Sequence, residues 1–88
     1  MQLEEAVRIG MELRRIVSTE SFDKAVEALK EQYRSQVFNS KPGDHATRER
    51  AYMEAHALDE LLITFNTFIA IAEADVLDVD EDQLEIFE

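Results

Sequence analysis

Leu61-Leu62-Ile63-Thr64-Phe65-Asn66-Thr67-Phe68-Ile69-Ala70-Ile71-Ala72 is the most apolar stretch of this chain. With the residues before it, this stretch sets Ala51, Ala55, Leu58, Leu62, Phe65, Ile69 and Ala72 at alternating steps of four and three. That is the spacing of a coiled-coil seam, a stripe on one side of a helix. It predicts a long helix from about His45 to Ala74, roughly 45 Å at 1.5 Å per residue. Leu61, Ile63, Phe68 and Ile71 add apolar surface on its other sides. A helix that is apolar nearly all round is buried nearly all round. Two short helices from the same chain cover one side. The remainder needs the same patch of another copy, a different partner, or a compact monomer in which the first helix covers the second side. Self-association is the simplest of these and names Leu58, Leu61, Leu62, Phe65, Phe68, Ile69 and Ala72 as the interface.

The rest of the chain also reads as helix. Only two Gly and one Pro occur, and no β-branched alternation is sustained. Leu3, Ala6, Val7, Ile9, Leu13, Ile16 and Val17 form a helical stripe over Leu3–Val17. Ala6 and Gly10 lie one turn apart in it, small enough to let a neighbour approach closely. Ser18 is placed to cap a second helix running to about Phe38, with Val17 and Phe22 as a hydrophobic staple. Phe22, Val26, Leu29, Tyr33 and Val37 give that helix one apolar face, opposite Asp23, Lys24, Glu27, Lys30, Glu31 and Arg34. Asn39-Ser40-Lys41-Pro42-Gly43-Asp44 is the clearest break, and Asp44 is positioned to cap the long third helix. The expected fold is therefore all-α: a helical hairpin or three-helix bundle over residues 1–75, with one long C-terminal helix and an acidic tail at 76–88.

Charge is divided sharply along the chain. Residues 1–50 hold nine acids and nine bases, whereas residues 51–88 hold eleven acids and no Lys or Arg, giving a net charge of −11. Such a balance repels nucleic acid phosphates and anionic lipid and points to protein partners, basic or DNA-binding ones included. The twelve residues of Leu61–Ala72 fall short of the roughly twenty needed to cross a bilayer, so no membrane span is expected. Met1-Gln2-Leu3-Glu4-Glu5 has acids where a secretory signal has bases. There is no cysteine, hence no disulfide or thiolate metal site.

Few constellations suggest chemistry. His56 and Glu60 stand one turn apart, a metal-pair spacing with no second pair to complete a site. Asp78, Asp80 and Asp82 copy the start of a calcium loop, but Gln83 stands where that loop needs glycine. No catalytic residue, cofactor or metal is expected: there is no glycine-rich phosphate loop and no Ser–His–acid arrangement. Arg48-Glu49-Arg50 opens the long helix beside Lys41, either as a small phosphate-seeking patch or paired with Glu49, Glu54 or another copy's tail. Gln83-Leu84-Glu85-Ile86-Phe87 resembles the Gln-Leu-x-Leu-Phe peptide with which bacterial replication proteins dock on the sliding clamp. Gln83 would bond at the edge of an apolar cleft filled by Leu84, Ile86 and Phe87. Alternatively, these side chains pack on this protein or a neighbouring copy.

Glu20-x-Phe22, Ala25, Leu29, Tyr33, Phe38, Asp44 and Arg48-Glu49-x-x-Tyr52 ahead of Ala57-Leu58-Asp59-Glu60-Leu61 resemble short helical proteins of tailed bacteriophages and prophages, often encoded among packaging and virion genes. The resemblance spans Ser18–Phe68 and brings no functional residues. It implies a helical hairpin, a viral origin, and a location in the bacterial host cytoplasm or the virion. The expected function is a non-enzymatic protein–protein interaction module in virion assembly or DNA packaging. The alternative is an acidic modulator of a DNA-handling protein, acting through a clamp-binding tail or as a DNA mimic.

Overall fold

A computed structural model describes the backbone of residues 1–87 and the side chains of residues 1–75. It contains three α-helices, α1 (Leu3–Val17), α2 (Glu20–Phe38) and α3 (His45–Phe87), and no strand among the described residues. The chain is all-α, as its patterning requires.

α2 begins one residue later than expected. Thr19, not Ser18, is the N-cap: its φ of −87° and ψ of 145° are extended, and its Oγ1 accepts the Phe22 N–H at 3.1 Å. Moving the cap moves the register, so Val17 and Phe22 no longer occupy the two staple positions. Of two adjacent hydroxyls, the one three residues before a free first-turn N–H serves as cap. Thr19→Ala is expected to lower stability by about 1 kcal/mol, with a smaller effect for Ser18→Ala. Urea unfolding followed by circular dichroism checks the order; a larger loss for Ser18→Ala would reassign the cap.

α3 continues past the expected stop at Ala74 to Phe87. The sequence from Asp75 to Phe87 contains no Gly or Pro to end it, and Val76, Val79 and Ile86 keep the four-three spacing, broken at Gln83.

Two compact units result. The first pairs Met1–Val17 with the part of α3 from Ile63 onward. Here Ala6, Gly10 and Ala72 are buried. A Cβ built on Gly10 would collide with the Phe68 carbonyl oxygen, lie 2.8 Å from its carbonyl carbon, and lie 2.9 Å from Ala72 Cβ. The missing side chain is what lets α1 lie directly on the α3 backbone, the role the Ala6/Gly10 spacing suggested. Arg14 and Glu73 form an exposed ion pair at 4.0 Å, a weak contribution at the surface.

The second unit is Ser18–Leu62. The apolar face of α2, namely Phe22, Val26, Leu29, Tyr33 and Val37, is half-buried, and Ala51 of α3 is buried. Lys24–Glu20 pairs on the opposite, solvated face, whereas Lys30–Glu27 and Arg34–Glu31 pair along the flank of α2. Only small residues are buried among the described residues, and no large side chain is fully enclosed.

Candidate functional site

The α3 seam is directed inward but incompletely covered. Leu58, Leu62, Phe65 and Ile69 of the seam are half-buried and Ala72 is buried; off the seam, Phe68 is half-buried and Leu61 is 50% exposed. Outside the seam, Met53 is 67% and Ile63 is 63% exposed. One helix packed on one side of α3 in each unit leaves its remaining apolar side chains in water. Ala72, expected at an intermolecular interface, is taken up by α1 instead. The surface left for another molecule therefore includes Met53, Ala57 and Leu61, spaced one turn apart within the second unit. Beside it runs a shallow open depression lined by Ala46, Glu49, Arg50, Met53, Glu54 and Ala57.

A deeper groove lies between α2 and α3 in the same unit. Its volume is about 570 Å³, within the range of small-molecule and peptide pockets. Tyr33, Val37 and Phe38 of α2 face Ala51, Tyr52, Ala55 and Leu58 of α3, with Lys30, Arg34 and Asp59 among the lining residues. Both tyrosines of the chain are here. Phe38 and Tyr52 are largely in solvent, 88% and 65% exposed. Periodicity places Tyr33 and Val37 on the packing face but does not reveal the groove. The available signal was the pair of alanines, Ala51 and Ala55, at seam positions opposite an aromatic end of α2. Small residues there leave room that Phe38 and Tyr52 do not fill.

The basic step at the start of α3 has a structural role. Arg48 donates through Nη1 to Lys41 O at 2.8 Å and Ser40 Oγ at 3.1 Å. Its Nη2 donates to Pro42 O at 3.0 Å and His45 Nδ1 at 2.9 Å. The guanidinium thus ties the 39–44 turn to α3, whereas its sequence context suggests a phosphate or acidic neighbour, or pairing with Glu49, Glu54 or another copy's tail. A planar fork of five donors suits several carbonyls at once, and those carbonyls also offset a cation at a helix N-terminus.

Asp44 caps α3 as its position suggested. Its Oδ1 accepts the Thr47 N–H at 3.1 Å and its Oδ2 the Thr47 hydroxyl at 2.6 Å. The Thr47 hydroxyl, then the Thr47 N–H, with help from Arg48 and His45, hold the carboxyl below its ordinary 3.8. A depressed folded value means the unfolded chain takes up the proton first as pH falls. The stabilisation is therefore present above pH 3.8 and lost as pH drops below it through the folded value. Wild type is expected to be more stable than Asp44→Asn at pH 7, the gap closing below pH 3.8. Chemical unfolding from pH 7 to 2 checks this; a gap that stays constant would remove the carboxylate from the cause.

His56 Nε2 lies 3.2 Å from Glu60 Oε1, with both side chains exposed. No group of three or more metal-capable side chains comes together among the described residues. The side chains of Asp78, Asp80, Asp82, Gln83, Leu84, Ile86 and Phe87 lie outside the described residues, so the calcium-loop and clamp-peptide readings rest on sequence.

The α3 segment His45–Asp75 is long and apolar enough, by length and composition, to cross a membrane. The twelve-residue run alone is too short, but Ala55, Ala57 and Leu58 extend it. The added residues also bring in Asp59 and Glu60, which a hydrocarbon core disfavours. Comparison with protein-family models, curated proteins and solved structures gives no match.

Proposed function

We propose that this chain is a non-enzymatic protein-interaction module that associates with copies of itself and with another protein, in bacteriophage particle assembly or DNA packaging. The observation that carries the self-association is the exposure of Met53, Leu61 and Ile63 on α3. Burying a side chain of this size removes about 1.5–3 kcal/mol of unfavourable hydration, so a second copy is a natural cover. The phage setting rests on the resemblance over Ser18–Phe68.

Sedimentation velocity over a wide concentration range, followed by a pull-down from infected cells, tests the reading. Concentration-dependent association and capture of a virion or packaging component are expected. A monomer at every concentration that captures neither would overturn it. Flotation with liposomes of neutral and anionic lipid is the third arm: co-flotation would reassign the apolar face of α3 to a membrane.

The division of charge favours a second reading, an acidic modulator of a DNA-handling protein. All nine Lys and Arg precede residue 51 and eleven acids follow. Mutating Leu84 and Phe87 separates the two: lost clamp or nuclease binding with unchanged assembly would favour the modulator.

A further inference from the structure

We infer that the α2–α3 groove receives the acidic C-terminal segment, Gln83–Glu88, of a second copy of this chain. This rests on the self-association reading and adds a second contact to the one made by the exposed α3 row. The groove has apolar walls at Val37, Ala51, Ala55 and Leu58, aromatic side chains at Tyr33, Phe38 and Tyr52, and the cations Lys30 and Arg34 against the single acid Asp59. The segment is its chemical counterpart: Leu84, Ile86 and Phe87 are interleaved with Glu85 and Glu88, with no cation.

Apolar side chains in an acidic peptide need a pocket whose edges are not acidic. No residue after Arg50 is Lys or Arg, so within this chain only residues 1–50 can supply cationic edges. The α2 wall belongs to that part. Among the described residues, Lys30 and Arg34 pair with exposed partners on their own helix, Glu27 at 3.9 Å and Glu31 at 3.1 Å. Such pairs are weak in water, and an incoming carboxylate displaces them readily. The exposed rings of Phe38 and Tyr52 offer anchoring surface at the mouth, the residue type that concentrates binding energy at interfaces. An amphipathic segment laid into an apolar groove between helices is an established mode of peptide recognition. The self-association reading makes the occupant a second copy.

The test uses the full chain. Phe87 is replaced by the photo-crosslinker p-benzoylphenylalanine, and this protein is mixed with uniformly ¹⁵N-labelled wild type and irradiated. Crosslinked peptides joining light position 87 to heavy groove residues such as Tyr33, Val37 or Leu58 are expected. Phe87→Asp and Tyr52→Asp are each expected to raise the self-association Kd at least about tenfold, as loss of an aromatic anchor does. Circular dichroism confirms that the exposed Tyr52 tolerates the change. Crosslinks confined to one chain, crosslinks outside the groove, or unchanged Kd in both variants would overturn the inference. If association survives both variants but is lost in Leu61→Glu, self-association stands and the groove assignment fails. A protein that never associates sinks both.

Discussion

Gly10→Ala is expected to be among the most damaging single-methyl changes in this chain. In most helices the substitution is favourable, since alanine exceeds glycine in helix propensity by up to about 1 kcal/mol. Here the new Cβ meets the Phe68 carbonyl and lies 2.9 Å from Ala72 Cβ. The obstacle is backbone, which cannot rotate away as a side chain does, so α1 must lift off α3. Overpacking of this kind costs about 1–3 kcal/mol, occasionally more. The net loss is then roughly 1–2 kcal/mol after the propensity gain, a fall in Tm of about 5–15 °C for a domain of this size. Gly43→Ala is the control. Nothing lies within 4 Å of a Cβ at Gly43, and neither glycine has a positive φ. It is expected to be neutral or slightly stabilising, because alanine restricts the unfolded chain. Both melts are run at one protein concentration, since association shifts apparent stability. A Gly10→Ala protein as stable as wild type would mean that α1 does not rest on the Phe68 backbone.

Leu61→Glu is expected to give the second large effect, on assembly instead of folding. Leu61 is half exposed, and glutamate is a good helix former, so α3 remains intact. In a two-fold pair the change occurs in both copies. Losing about 1 kcal/mol of burial in each weakens association by roughly thirtyfold, and like charges across the interface add to this. Ile63→Glu should do less. Leu61 continues an exposed row with Met53 and Ala57, whereas the residues one turn from Ile63 are Asp59, Glu60, Asn66 and Thr67. Sedimentation equilibrium of the two variants against wild type measures the difference. Equal Kd values for all three proteins would remove α3 from the self-association surface.

Much of the fold was legible because helix boundaries depend on local chemistry. Pro42-Gly43-Asp44 stops one helix and caps the next, and the end of α2 and the start of α3 fall where those residues put them. The misjudged boundaries are cases where local chemistry is ambiguous. Ser18 and Thr19 carry equivalent hydroxyls, and only backbone geometry selects Thr19. The end of α3 has no breaker to mark it. Arg48 was misread for a related reason: composition identifies acidic partners, while backbone carbonyls, present at every residue, become partners only once a turn gathers them.

By itself, the order of residues determined three helices, the inward stripe on α3 and the separation of cationic from acidic chain, since periodicity and charge are properties of the sequence alone. Tertiary structure decided how much of that stripe is covered. Coverage depends on which small residues meet which large ones across two helices, and that pairing is non-local. Gly10 and Ala72 bring α1 down onto backbone, whereas Ala51 and Ala55 opposite Tyr33 leave a groove open, and no spacing along one helix tells these two outcomes apart.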